Sequence, residues 1–267
     1  MGRFRIGGTA LITGASSGLG EEYALQLAGR CGRLVLTARR ESLLDALADR
    51  LRATHPQLEV RVLAADLADE GAREDFVSAV LAAGWVPDLL VNNAGLGDYG
   101  EFAGGSWERT DAMLRVNIGA LTHLTHAFVP AMAARGGGAV MNVSSLASLL
   151  PIPDFAVYAA TKAYVTSLSE ALRIEFSGLG IAVIAVCPGP VPTGFGEVAR
   201  REPGARLPVS EWFLMTRERV VGESLGALVR GKARIYPGKR TRLAARFISL
   251  LPLAWLRAAM STRPRRS

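Results

Sequence analysis

Only two cysteines, Cys31 and Cys187, occur in the 267 residues, both in stretches that read as core and without CxxC spacing. That excludes a disulfide framework and a cysteine-based zinc site, and it suits a reducing cytoplasm. Histidine is equally sparse. His123 and His126 have no third ligand beside them and His55 stands alone, so no metal is expected. Long apolar runs are missing too. Ala10-Leu11-Ile12 breaks at Thr13-Gly14, too short for a signal-peptide core, so export is not expected. The longest nearly apolar stretch elsewhere, Phe247 to Leu256, is ten residues interrupted by Ser249 and Pro252. A spanning helix needs about 20.

Acidic residues stop at Glu223. Beyond it lie 11 Lys and Arg residues, from Arg230 to Arg266, whereas residues 1–229 hold 20 basic against 24 acidic residues, net −4. The overall charge of +7 is therefore the property of a tail. A basic tail on an acidic body is not a nucleic-acid surface, and no nucleic-acid partner is expected. The composition is 49% hydrophobic, which excludes disorder and, at this length, allows one large α/β domain or two small ones.

Seven short strand-like runs recur at regular distance: Ala10–Thr13, Leu34–Thr37, Val60–Ala64, Leu89–Val91, Ala139–Val143, Ile181–Val186 and Arg234–Tyr236. Helix-length segments separate most of them, with apolar residues three and four apart, as in Leu43, Leu44, Leu47 and Leu51. This alternation predicts an α/β fold, a doubly wound parallel sheet of about seven strands. Ile181–Val186 is apolar at every position, the mark of a strand buried on both faces. Ser106 to Met132 and Tyr158 to Phe176 read as the main helices of the second half, the first limited by Pro130 and the second ended by Gly178 and Gly180. No linker or repeat interrupts the chain, so one domain is expected over residues 1–240, followed by a basic amphipathic tail at 241–267. Residues 194–215 lack a period but hold Phe195, Leu207, Trp212, Phe213 and Leu214. They read as a lid with apolar anchors.

Directly after the first strand stands Thr13-Gly14-Ala15-Ser16-Ser17-Gly18-Leu19-Gly20, and a helical pattern begins at Glu21. Glycines let a backbone turn sharply and approach a pyrophosphate, and a helix N-terminus offers unpaired N–H groups. The second strand ends in Ala38-Arg39-Arg40, where dinucleotide folds often carry an acid that holds the adenosine ribose. Two arginines there suit a 2′-phosphate, favouring NADPH over NADH; alternatively they pair with Glu41 and Asp45. Tyr158 and Lys162, four apart, share a helix face, and a cation beside a phenol favours the phenolate and lowers its pKa. Ser144 and Ser145 lie at a strand end, where a hydroxyl can donate to a carbonyl oxygen gaining charge.

Together with Asn92-Asn93-Ala94-Gly95, Asn117 and Pro188-Gly189, these motifs resemble, in order and spacing, the short-chain dehydrogenase/reductase family over roughly residues 8–240. The resemblance implies a Rossmann-type fold and NADP(H) as cofactor. It implies Tyr158 as acid/base, Lys162 as the residue that holds the nicotinamide ribose and lowers the tyrosine pKa, and Ser145 as the carbonyl-orienting hydroxyl. Asn117 matches the asparagine that kinks a helix and holds a water in the proton relay. On the cofactor side it implies Gly14, Ser16, Ser17, Gly18, Leu19 and Gly20 around the phosphates, with Arg39 and Arg40 beyond. Asp66 and Leu67 fall at the adenine, Asn93, Ala94 and Gly95 on the adenosine side, and Pro188, Gly189, Val191 and Thr193 beside the nicotinamide. The chain departs from the pattern in its basic C-terminal extension.

Two functional readings follow. One is hydride transfer between NADPH and a carbonyl or alcohol on a small, apolar, lipid-like or steroid-like molecule. The other is a non-catalytic NADPH-binding regulatory or scaffold protein, whose mark would be loss of the Tyr or Lys. Nucleotide-sugar chemistry needs more chain than follows Gly196. A homodimer or homotetramer is expected through Leu121, Leu124, Phe128, Val165, Leu168 and Leu172. The tail, with Leu243, Phe247, Leu250, Leu251, Trp255 and Leu256 among arginines, suits either an anionic membrane surface or docking on the protein body. The expected location is cytoplasmic, with peripheral contact to the inner face of a membrane on the first of those readings.

Overall fold

The computed structural model describes residues 4–201 and 211–261. Its first half runs β1 (Thr9–Thr13), α1 (Gly18–Ala28), β2 (Arg33–Thr37), α2 (Glu41–Thr54), β3 (Glu59–Val62), α3 (Glu70–Ala82) and β4 (Leu89–Asn92). The second half runs α4 (Trp107–Leu114), α5 (Leu121–Ala134), β5 (Gly138–Val143), α6 (Ala156–Glu175), β6 (Ile181–Val186), α7 (Phe195–Ala199), α8 (Arg217–Val229), β7 (Arg234–Ile235), α9 (Lys239–Leu250) and α10 (Leu253–Ser261). All seven strands join one parallel sheet in the order β3-β2-β1-β4-β5-β6-β7. The order reverses between β1 and β4, and a crevice opens there at the carboxyl ends of the strands.

Alternate side chains of each strand enter two apolar layers, which is why the central strands need no polar face. Ala10 and Ile12 of β1 join Tyr23, Leu27, Leu44 and Leu225 from α1, α2 and α8. Leu11 points the other way, to Phe76, Val80, Leu124 and Phe128 from α3 and α5. Truncating a fully buried aromatic such as Phe128 to Ala would cost about 3–5 kcal/mol.

Strand ends differ slightly from the sequence reading. β3 stops at Val62, although Leu63 and Ala65 still donate to the Leu36 and Ala38 carbonyls at 3.0 and 3.1 Å. Pro130 does not end its helix, which continues to Ala134. Pro130 and His126, whose carbonyl it deprives of a partner, are both exposed, so water can take that carbonyl. The residues expected to form an oligomer face are largely core. Leu121, Leu124, Phe128 and Val165 are buried, Leu172 packs against the layer that holds Leu124 and Phe128, and Leu168 is half-buried.

Of the lid, Pro203, Gly204, Leu207 and Pro208 lie outside the described residues. Phe195 turns inward, whereas Trp212 and Leu214 are exposed, Trp212 lying edge-on to Phe213 and under the Arg240 guanidinium. What holds the lid is polar. The buried Asp98 carboxylate accepts from Arg109 Nε at 2.9 Å and from Arg201 Nη2 at 2.5 Å, and Arg201 Nη1 donates to the Glu101 carbonyl at 2.7 Å. Tyr99 N donates to the Ala199 carbonyl at 2.7 Å alongside. Burial alone would raise the Asp98 pKa; the hydrogen bonds from Arg201 and Arg109 outweigh it and hold the carboxyl below its ordinary value.

Of its large apolar residues the tail buries Leu256, together with the small Thr241 and Ala245, whereas Leu243, Phe247, Leu250 and Trp255 stay exposed. No single helix among the described residues is long and apolar enough to cross a membrane.

The Asp98 clamp yields a stability prediction. Asp98→Ala leaves two arginines without their counter-ion and should destabilise the fold by about 3 kcal/mol in urea unfolding. Because the folded-state pKa is depressed, the clamp's contribution is complete above the unfolded carboxyl value and is lost as pH falls through the folded one. The stability of the variant should therefore vary less with acid pH than that of the parent.

Candidate active site

Chain geometry at the β1 end leaves no room for side chains. Gly14 and Gly18 hold φ of 65° and 62°, and a Cβ on Gly20 would lie 2.1 Å from the Gly14 carbonyl oxygen. α1 starts directly from this turn. Its N-cap Ser17 makes no side-chain capping bond, so the first-turn N–H groups face the crevice without an internal acceptor. Arg40 Nη2 instead donates to Ser16 Oγ at 3.1 Å and Ser17 Oγ at 2.9 Å, while Arg39 is exposed and has no partner among the described residues. Neither arginine pairs with Glu41 or Asp45. Open backbone donors, a flat approach and nearby guanidinium groups are what a phosphate-bearing ligand requires. Leu19, half-buried, packs against the core layer behind the turn.

Across the crevice, Thr13 Oγ1 accepts from the backbone N–H groups of Asn93 and Ala94 at 3.0 and 2.9 Å. Asn93 Nδ2 returns a bond to the Thr13 carbonyl at 2.9 Å, so the β1 and β4 ends are tied in both directions. Asp66, exposed after β3, folds its own turn by accepting from Ala68 N at 3.0 Å. Leu67 is buried beside it, and its carbonyl accepts from Arg73 Nη1 at 2.9 Å.

Four candidates converge on the other side. Tyr158 and Lys162 are both buried on α6. Lys162 Nζ donates to the Val143 carbonyl at 2.9 Å and sits 5.7 Å from the Tyr158 ring centre. Ser145 accepts from Ala147 N at 3.1 Å, and its hydroxyl lies close enough to Tyr158 to favour the phenolate. Ser144 turns away, bonded to the Lys162 carbonyl at 2.8 Å and to Thr166 Oγ1 at 2.7 Å, which leaves the site to Ser145. Asn117 lies in a π-helical turn, Arg115–Ala120, between α4 and α5. Such turns often accompany functional sites. Its amide is fully engaged, accepting from Leu96 N at 2.8 Å and donating to the Leu96 carbonyl at 2.9 Å and Thr161 Oγ1 at 3.0 Å. Gly95 makes the convergence sterically possible: a Cβ there would stand 3.3 Å from both Asn117 Oδ1 and Lys162 Nζ.

The electrostatics correct one expectation. Burial pushes the Tyr158 hydroxyl up to about 12, and the Ser145 hydroxyl offsets only part of that rise. Burial likewise brings the Lys162 ammonium down to about 8. For both groups burial is the largest influence, and each is pushed toward its neutral form.

Several site residues, Phe155 and Tyr99 among them, escaped the sequence reading, whereas Phe195 stands there as an apolar anchor. Phe155 stacks on Tyr158 with ring centres 4.3 Å apart, Phe195 leans on it at 5.4 Å, and Tyr99 meets Phe155 edge-on at 5.9 Å. Phe155, three residues before Tyr158, was detectable from helical spacing; Tyr99 was not. A cleft of about 510 Å³ runs between Ser17-Gly18 and the segment after β6, where Thr193 closes against Gly18. Arg200 and Arg217 line this cleft, and the buried Arg200 Nε has no partner among the described residues. Pro188 fixes the start of the segment by accepting from Leu146 N at 2.8 Å, Gly189 faces Thr241, and Val191 is half-buried.

Known proteins share this arrangement. The chain is 35% identical over 183 residues to the probable oxidoreductase EphD of Mycobacterium tuberculosis, 68% of this chain but 31% of that protein's length. It is 30% identical over 221 residues to the very-long-chain 3-oxoacyl-CoA reductase of Homo sapiens, covering 81% of this chain and 69% of that protein. A short-chain dehydrogenase from Sphingobium yanoikuyae, solved in complex with NADPH, superposes with a TM-score of 0.81 at 33% identity, over 97% of each chain. The sequence pattern described as short chain dehydrogenase matches residues 8–204, and with the site geometry this establishes that the chain belongs to the short-chain dehydrogenase family.

Proposed function

We propose that the protein is an NADPH-dependent oxidoreductase that reduces the carbonyl of an apolar, lipid-like or steroid-like small molecule, or oxidises the matching secondary alcohol. The observation that carries this reading is the convergence of Ser145, Tyr158 and Lys162 beside a glycine turn topped by Arg40. The NADPH complex of the Sphingobium relative supports the cofactor, and the name of the human relative supports a long-chain carbonyl.

The nicotinamide supplies a hydride when bound; the protein supplies position and a proton. Gly14, Gly18, Gly20 and the α1 N-terminus would hold the phosphates, and Arg39 and Arg40 the 2′-phosphate. In reduction, Tyr158 gives its hydroxyl proton to the carbonyl oxygen, to which Ser145 also donates. A tyrosine held near 12 remains protonated at neutral pH, as a proton donor must. Lys162, near 8, remains mostly charged there and balances the phenolate left behind. Asn117 positions the Gly95-Leu96 backbone and Thr161. Phe155 and Phe195 wall the approach to Tyr158 and exclude water. The non-catalytic alternative gains no support, since both Tyr158 and Lys162 are present and meet.

We further propose a homodimer or homotetramer in the cytoplasm, with peripheral contact to the inner face of a membrane. Leu168 and Leu172 are half-buried, and Tyr164 and Ile174 on the same helix are exposed apolar positions that support self-association.

Two experiments test the assignment. Tyr158→Phe should lower NADPH-dependent ketone reduction at least about a hundredfold while NADPH titration by fluorescence stays unchanged; near-normal turnover would remove the role. In the parent protein, reduction should decline as pH rises through about 8, where Lys162 loses its proton. For cofactor choice, Arg40→Asp should weaken NADPH at least about tenfold, or 1.4 kcal/mol, and NADH less. Arg200→Gln should weaken both alike, as a contact to the shared diphosphate would. Tighter binding of NADH than NADPH by the parent would overturn the phosphate reading.

A further inference from the structure

Two helices at the end of the described chain leave their most apolar face uncovered. Leu243, Phe247, Leu250, Leu253 and Trp255 are each more than half exposed, although the same helices bury Thr241, Ala245 and Leu256. α9 and α10 meet at an elbow of 113° around Leu251-Pro252, so the pair lies as two short arms instead of one rod. Every charge on these arms is positive. Arg242 meets Glu223 at 3.5 Å and Arg240 stacks over Trp212 at 4.7 Å, but Lys239, Arg246 and Arg257 are exposed and have no partner among the described residues.

The root of this face touches the active-site entrance. Arg240 Nη1 donates to the Trp212 carbonyl at 3.1 Å, and Thr241 packs against Gly189, in the turn after β6. Trp212 and Leu214 of the lid are themselves exposed.

We propose that the outer face of α9 and α10 docks on an anionic lipid bilayer and so sets the lid entrance at the membrane surface. Short amphipathic helices with large apolar side chains, an interfacial tryptophan and flanking arginines bind in the headgroup plane, their long cationic stems reaching the phosphates. Charge selects this occupant over a second copy of the chain. Two such faces meeting about a two-fold axis would oppose arginine to arginine with no acid after Glu223 to neutralise them. The consequence for function rests on the apolar-carbonyl reading above: a lipid-like substrate would pass from the bilayer to Tyr158 with little exposure to water.

The test uses the full chain and sedimentation with phosphatidylcholine vesicles, with and without phosphatidylglycerol. Binding should require phosphatidylglycerol, weaken with salt, and fall at least about tenfold in Leu250→Glu/Trp255→Glu. That variant changes two exposed side chains away from the site, so reduction of a water-soluble ketone should stay at the parent level while turnover of a vesicle-borne ketone falls. A full chain that ignores phosphatidylglycerol vesicles, or a variant that binds them equally, overturns the proposal. So does a variant that converts a larger particle to a monomer without vesicles, which would assign the face to a second copy. Vesicle binding without reduction of any carbonyl keeps the surface and removes the oxidoreductase reading; reduction without vesicle binding does the reverse.

Discussion

The hydroxyl of Thr13 holds the two halves of the sheet together where their winding reverses. It accepts two backbone N–H groups from Asn93 and Ala94, and Asn93 answers through its amide to the Thr13 carbonyl. On one side of this tie the glycine turn enters α1; on the other, Gly95-Leu96 leads to the Asn117 amide and from there to Thr161 on α6. The candidate cofactor cradle and the candidate proton donor are thus linked by three consecutive hydrogen-bonded contacts. A second polar network reinforces the same strands from within. Asn92 donates to Asn142 and Thr125, and Asn142 donates to Ser169 of α6. Buried amides of this type fix strand register and helix position together, since a slip would strand each donor in an apolar layer.

Desolvation dominates the chemistry of the site. Burial disfavours both the phenolate of Tyr158 and the ammonium of Lys162, and the aromatic wall of Phe155 and Phe195 strengthens that effect. The same exclusion of water keeps the proton on Tyr158, as the proposed reduction of an apolar carbonyl requires. The lid follows a different rule. Trp212 faces outward, and the buried Asp98 carboxylate fastens the segment through Arg201. Ion pairing thus fixes the described part of the segment around Arg201.

The sequence by itself determined the seven strands, their parallel arrangement and the glycine turn between the first strand and helix. Each depends on local patterns: runs apolar at every position, helical spacing between them, and glycines at positive φ. It also brought Tyr158 and Lys162 together, since four residues make one helical turn. Tertiary structure alone decided what depends on distant neighbours. The family spacing singles out Ser145 over Ser144, but only the packing of α6 against the β5 end shows what directs Ser144 to Thr166 and Ser145 toward Tyr158. Asp98, Arg109 and Arg201 lie too far apart along the chain for any spacing rule to join them. The sign of the Tyr158 pKa shift also depended on the fold, because pairing with Lys162 could be read from spacing whereas the cost of burial could not. The tail shows the same division: its amphipathic composition is written in the chain, but which residues it buries, Thr241, Ala245 and Leu256, was set by how α9 and α10 pack.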